Sequence, residues 1–264
     1  MQYLRTLIPY HTSTIVRLYR GFRLVVHLLY GLLMAATFLG FLSSEKRDKV
    51  ITYWSRGLIS IFNIDFIVRG TQPNWQTRNT LFVANHISWF DIYALNSIRA
   101  VRFIAKIDIR AWPVLGWFVE KGNTLFIDRG KRSEAGRMLD VTVKALQKGD
   151  LLAFFPEGTT TDGTHLLPFK ASLIQSAINT RANVWPVAIQ YLDNTGKIDT
   201  NMGYYGEMSL AGSMATMLTI KRPVLELTYL EPLVFNEHVT RTELAALARH
   251  KIQDQLNINA KLKH

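Results

Sequence analysis

The stretch Thr80-Leu81-Phe82-Val83-Ala84-Asn85-His86-Ile87-Ser88-Trp89-Phe90-Asp91 decides how the chain is read. Its first five residues form a short apolar run, which reads as a buried strand. Ile92-Tyr93-Ala94-Leu95 then reads as the first turns of a helix. His86 and Asp91 are five positions apart. On one continuous helix they would lie on different faces, because a turn takes about 3.6 residues. With the break placed at the turn, His86 precedes the helix and Asp91 stands in its first turn. From there the carboxylate can fold back onto the imidazole.

A carboxylate on one ring nitrogen fixes the tautomer, stabilises the imidazolium and leaves the other nitrogen to take a proton. No nucleophile of the chain's own accompanies the pair, so the attacking hydroxyl would come from a substrate. The same residues admit a structural reading. Ser88 and Asp91 fit a serine-x-x-acid capping box, with His86 as a satisfied structural histidine.

Upstream, residues 1–63 differ from the rest. Leu24 to Leu42 is almost entirely apolar over nineteen residues, just long enough to span hydrocarbon. Arg17, Arg20 and Arg23 stand before this run, and Lys46, Arg47 and Lys49 stand after it. Positive charge marks the cytoplasmic side of a span, and here it marks both flanks. A second segment, 50–64, carries Ile51, Trp54, Leu58, Ile61 and Phe62 at helical spacing. These features predict a helical hairpin embedded in one leaflet, with both ends on the cytoplasmic face. A single span is the alternative.

Composition agrees with a membrane surface. The formal net charge is +11, and 48% of the 264 residues are hydrophobic. Such a balance asks for an anionic partner, and basic and greasy together favour a bilayer over nucleic acid. The chain has no cysteine, which excludes disulfides, thiolate metal sites and a cysteine nucleophile.

Downstream, strands alternate with helices. Short apolar runs at 66–68, 101–105, 124–127, 151–155, 184–191 and 224–230 read as strands. Segments 133–148, 170–180 and 240–256 read as helices, and 107–119 as a short core or interfacial helix. The pattern predicts a mixed, mostly parallel α/β sheet covered by helices from residue 64 to 264, behind the membrane-binding helices of 1–63. Polar residues recur where the strands end: Asn85-His86, Lys106, Asp128-Arg129 and Glu157-Gly158-Thr159. Ligands of open α/β sheets bind at the carboxyl ends of strands. Lys106 and Arg129 there suit a phosphate, and Glu157 beside Gly158 suits either placing a hydroxyl or aiming backbone donors at an oxyanion. No HExxH, GxSxG, Walker or dinucleotide glycine motif occurs, and no metal is expected.

The order of these blocks resembles the glycerolipid acyltransferase family, in particular the bacterial 1-acylglycerol-3-phosphate (lysophosphatidic acid) acyltransferases, over residues 65–192. Asn85-His86-Ile87-Ser88-Trp89-Phe90-Asp91 is similar to its NHxxxxD block. Phe103-Ile104-Ala105-Lys106 with Gly122-Asn123-Thr124-Leu125-Phe126-Ile127-Asp128-Arg129 is similar to its second block, Phe155-Pro156-Glu157-Gly158-Thr159 to its third, and Trp185-Pro186-Val187-Ala188-Ile189 to its fourth. The resemblance implies transfer of a fatty acyl group from a thioester of acyl carrier protein or coenzyme A to a lysolipid hydroxyl. It implies His86 as general base, Asp91 as its orienter, Lys106 and Arg129 around the acceptor's phosphate, and Glu157, Gly158 and Thr159 positioning the acceptor. No cofactor is implied beyond the thioester co-substrate, and the expected location is the cytoplasmic face of the inner membrane. The family's third block usually continues with Arg, where this chain has Thr160. Some relatives with a variant third block acylate a lyso-ornithine lipid, which is the alternative acceptor. A lipid-binding protein without catalysis and a hydrolase delivering the acyl group to water are the rivals from other classes.

Overall fold

The computed structural model describes residues 10–107, 110, 115–122, 124–127, 132–236 and 238–261. Among the described residues, seven strands form one sheet: β1 (Asp65–Arg69), β2 (Thr80–Ala84), β3 (Arg102–Lys106), β4 (Leu125–Ile127), β5 (Leu151–Phe154), β6 (Asn183–Leu192) and β7 (Val224–Tyr229). Their order is β1-β7-β6-β2-β5-β3-β4. Every neighbouring pair is parallel except β6 with β7.

β2 lies in the middle of the sheet, and all five of its residues are buried. Side chains alternate between the faces of a strand. Phe82 and Ala84, with Ala153 of β5 and Trp185, Val187, Ile189 and Tyr191 of β6, point into one hydrophobic cluster. Leu81 and Val83, with Leu152 and Phe154, point into the other. The first face is covered by α2 (Ser44–Ile61), α3 (Asp91–Ile98) and α7 (Leu210–Thr219). The second is covered by α5 (Arg132–Gln147), α6 (Ile174–Thr180) and α8 (Arg241–Lys261). A sheet covered on both faces explains why the central strands read as continuous apolar runs.

The first helix, α1 (Thr14–Thr37), starts ten residues before the apolar run and ends before it closes; a 3-10 turn, Leu39–Phe41, follows. The early turns carry Arg17, Arg20 and Arg23, and Arg20 explains why charge is tolerated there. It is buried, and its guanidinium donates to the carbonyls of Ile220 (2.7 Å) and Lys221 (2.9 Å) just beyond α7. Helix α2 returns antiparallel to α1. Trp54 Nε1 donates to the His27 carbonyl at 3.2 Å, His27 Nε2 donates to the Trp54 carbonyl at 2.9 Å, and the two rings stack at 4.8 Å. The crossing needs glycine. A Cβ on Gly31 would fall 2.5 Å from Trp54 Nε1, and one on Gly57 would fall 2.4 Å from His27 Cε1.

The two helices play unequal parts. Leu58, Ile61 and Phe62 at the end of α2 belong to the same buried cluster as β2 and β6. On α1 the outer face stays open: Ile15, Leu18, Phe22, Val25, Leu29 and Leu33 are each between 56% and 80% exposed. Their spacing of three and four residues puts them on one stripe.

Between β3 and β4, α4 is seen over Leu115–Lys121. Trp117 faces Leu32, Leu33 and Ala36 of α1 across an apolar groove. Helix α5 includes Ser133 instead of beginning after it, and α6 is shorter than the apolar spacing suggested.

Candidate active site

Strands β2 and β5 are adjacent and parallel, so the turns that follow them leave the sheet at the same edge. The first carries His86, and the second carries Glu157. On the far side of β2, the amide of Asn85 prolongs the ladder with β6. Its Nδ2 donates to the Ile189 carbonyl at 2.9 Å, and its Oδ1 accepts the Ile189 N–H at 2.8 Å. The side chain thereby mimics one more strand pair past Ala84–Val187 and fixes where the chain turns.

Beyond Asn85 the backbone wraps around one carboxylate. Asp91 Oδ2 accepts from His86 Nδ1 (2.8 Å), from the Ile87 N–H (2.8 Å) and from the Ser88 N–H (2.9 Å). Asp91 Oδ1 accepts from the Tyr191 hydroxyl at 2.7 Å. Asp91 is fully buried, and a buried carboxylate is tolerable only when its oxygens are satisfied. The catalytic and capping readings of Asp91 are therefore one arrangement: the oxygen that orients the histidine also receives the Ser88 N–H at the start of α3.

Because Asp91 can only accept, the bond at Nδ1 makes that nitrogen the proton-bearing one and leaves Nε2 with its lone pair. Nε2 has no hydrogen-bond partner among the described residues, and the His86 side chain keeps 17% of its exposure. One face of the ring lies flat on Phe155, with centroids 3.8 Å apart and planes 4° from parallel. The imidazole is thus held by Asp91 in its plane and by Phe155 across it. Burial, reinforced by the Asp91 charge, pushes the Tyr191 phenol well above its ordinary value, so Tyr191 remains a donor across working pH.

Glu157 sits beneath the same loop. Its Oε1 accepts the His86 N–H at 2.7 Å, and its Oε2 accepts the Leu167 N–H at 2.9 Å. Burial raises its pKa above the ordinary carboxylate value, while the two backbone donors pull it down. With one backbone donor on each oxygen, Glu157 ties the His86 turn to the backbone at Leu167. Gly158 adopts φ +78°, a left-handed turn suited to glycine. Its N–H closes that turn onto the Phe155 carbonyl at 3.1 Å, so this donor is engaged within the turn and not offered to an oxyanion. Thr159 is exposed beside it. Thr160 turns its hydroxyl onto the Tyr204 carbonyl, and the Thr161 N–H bonds the His86 carbonyl at 2.9 Å.

Of the two expected cations, Lys106 ends β3 opposite Ile127, which puts its backbone at the same edge of the sheet as His86. Its side chain and the whole of Arg129 lie outside the described residues, as does Asp128. Sequence reasoning missed Tyr191, Phe155 and the ladder made by Asn85. Tyr191 stands in an unbroken buried run, where nothing local marks its hydroxyl as functional.

A single turn of α2 links the hairpin to this site. Phe62 meets Trp89 at 6.0 Å and Phe90 at 5.5 Å edge-on, and Trp89 Nε1 donates to Ser213 Oγ of α7 at 3.1 Å.

Comparison with known proteins points to the same chemistry. The family model described as Acyltransferase matches residues 65–190. A 1-acyl-sn-glycerol-3-phosphate acyltransferase of Neisseria meningitidis is 35% identical over 185 residues, 70% of this chain and 72% of that protein. A lyso-ornithine lipid O-acyltransferase of Pseudomonas aeruginosa is 34% identical over 208 residues, 78% of each chain. The crystal structure of the 1-acyl-sn-glycerophosphate acyltransferase of Thermotoga maritima superposes with a TM-score of 0.64 at 24% identity, covering 97% of this chain and 98% of that one, and shares the fold. The chain belongs to the acyltransferase family and is an acyltransferase enzyme.

Proposed function

We propose that the protein transfers a fatty acyl group from a thioester of acyl carrier protein or coenzyme A to the free hydroxyl of 1-acylglycerol-3-phosphate. The observation that carries the mechanism is the bond from His86 Nδ1 to a buried, fourfold-satisfied Asp91, which leaves Nε2 as the base. The acceptor hydroxyl gives its proton to Nε2 as its oxygen attacks the thioester carbonyl. The C–O bond forms, the C–S bond breaks, and the imidazolium returns the proton to the departing thiolate. Asp91 stabilises the imidazolium while it exists. The thioester supplies the driving force, and no acyl-enzyme forms.

The open stripe on α1 supports docking on a membrane surface, with α1 lying along the interface and its apolar face in the acyl layer; the basic residues on both flanks of the apolar run are what favour the cytoplasmic face of the inner membrane. Phe62 at the end of α2 then sets the catalytic turn close to that layer. In this reading residues 1–63 are the membrane-binding part and 64–264 the catalytic part.

Lyso-ornithine lipid is the second acceptor to consider, because Thr160 replaces the usual arginine and spends its hydroxyl on Tyr204. Labelled acyl thioester incubated with the purified protein and either lysophosphatidic acid or lyso-ornithine lipid decides between them. The reading requires labelled diacylglycerol phosphate. Label found only in ornithine lipid transfers the assignment to that acceptor, and label found only in free fatty acid ends the transferase reading.

A further inference from the structure

At the edge of the sheet opposite His86, a cavity of about 160 Å³ opens between the first turns of α2, the loop before β2 and the starts of β3 and β5. A five-residue strand is about 16 Å long, so this cavity is separated from the His86 turn by about the length of a strand. Every carboxylate in its lining is already matched. Asp48 takes Arg99 at 3.0 Å, Asp150 takes Arg102, and Glu45 takes Lys49 at 2.7 Å. Three further cations of the lining are left over. Arg47 and Lys148 make no ion pair among the described residues, and the Arg78 guanidinium bonds the carbonyls of Trp75 and Thr77.

Two guanidinium nitrogens of the lining, Nε of Arg47 and Nε of Arg99, have no acceptor among the described residues. Arg99 is 6% exposed and lies 4.2 Å from the Trp75 ring, so it is held in place without its full set of acceptors. The first turn of α2 adds its own donors. Ser44 lines the cavity, and the preceding Ser43 makes no capping bond to that turn, so the positive end of an 18-residue helix adjoins the cavity. Surplus cations, unpaired guanidinium nitrogens and an uncapped helix end all lack the same thing, a compact anion with several acceptor oxygens. The cavity is too small for a nucleotide and suits a phosphate-sized group. Phe38 and Phe41, 58% and 90% exposed, stand in the turn that leads into α2.

We propose that this cavity holds the phosphodiester of an anionic bilayer lipid, a headgroup site distinct from the acceptor's. The proposal rests on the membrane-docked reading of α1. An interfacial α1 places both its ends at headgroup level, and the cavity opens at the first turn of α2, just past the turn that follows one of them. Bound there, the lipid would pin the turn end of the hairpin and set the tilt of the catalytic edge toward the bilayer.

The test compares Arg47→Gln/Lys148→Gln with Lys46→Gln/Lys121→Gln, which removes the same charge near the turn end of the hairpin but touches neither the cavity lining nor the ion pairs of its carboxylates. Vesicle co-sedimentation is measured on phosphatidylcholine alone and on phosphatidylcholine with phosphatidylglycerol. Acyl transfer on detergent-dispersed substrate checks that both variants are folded. Wild-type protein should partition more strongly onto the anionic vesicles. The cavity variant should lose roughly tenfold more of that gain than the control, with neutral-vesicle binding unchanged in both. Equal losses in the two variants would overturn the site, since the attraction would then be diffuse. A thermal shift of wild type by inorganic phosphate, absent from the cavity variant and without any vesicle difference, would assign the cavity to a soluble anion and overturn the lipid assignment. Failure of wild type to bind either vesicle would sink the docking reading itself, and the lipid assignment with it.

Discussion

Replacing Tyr191 with phenylalanine tests the part of the site that no motif marks. The change removes one hydroxyl and no ring volume, so the buried cluster around β6 keeps its packing. What is lost is the 2.7 Å bond to Asp91 Oδ1, together with the hydroxyl's bond with the Ser88 side chain, while Oδ2 keeps its three donors. A hydrogen bond to a charged group contributes about 1.5–3 kcal/mol. Oδ1 would then face a buried apolar edge, and the carboxylate could rotate away from the imidazole to find another donor. If that loss is felt in the transition state, where the imidazolium needs Asp91 most, kcat falls roughly ten- to a hundredfold. The substrates touch neither group in this account, so KM for thioester and for lysolipid should stay within about twofold. The assay is steady-state acyl transfer on both substrates, with urea unfolding on the same preparations. The unfolding free energy should drop by about 1–3 kcal/mol. A folded variant with wild-type kcat, or one whose whole defect lies in KM, would show that Tyr191 merely fills space.

Two further outcomes follow from the neighbouring residues. Glu157 has its pKa raised by burial, so the folded protein holds that proton more tightly than the unfolded chain does. Its contribution to stability is complete below the ordinary carboxylate range and is lost as the pH rises from there through the folded-state pKa. Stability curves from pH 4 upward should show that decline, and Glu157→Gln should flatten it while costing about 1–3 kcal/mol, because its amide nitrogen faces a backbone donor; a decline of unchanged size in the variant would contradict the assignment. On α1, Leu29→Glu with Leu33→Glu puts two charges on the open stripe and should lower partition onto vesicles by at least about tenfold, leaving the melting temperature within a few degrees. Unchanged partition would remove α1 from the membrane contact.

How much of this was legible in the sequence varied with the range of the interaction. The His86–Asp91 pair was readable because its partners are five residues apart and straddle a strand-to-helix turn. The central strands were readable because a strand covered on both faces leaves no polar alternation. The start of α1 was harder, since Arg17, Arg20 and Arg23 lower the local hydropathy, and only the fold reveals that Arg20 is spent on carbonyls near β7. Glu157 looked like a group aimed at substrate, yet its oxygens brace the backbone of residues 86 and 167. Tyr191 was out of reach. Its role depends on β6 lying beside β2, a neighbour relation between residues a hundred positions apart that strand order alone determines. The antiparallel turn of β7 into the sheet was hidden for the same reason.

The most direct measurement follows the acyl group itself. Labelled acyl thioester is given to wild-type protein and to His86→Ala, each with and without lysophosphatidic acid. Direct transfer by an imidazole base predicts labelled diacyl product only when the lysolipid is present, and a fall of roughly a hundredfold or more in the folded variant. Label transferred at an undiminished rate by His86→Ala, or released as free fatty acid without any acceptor, would contradict it.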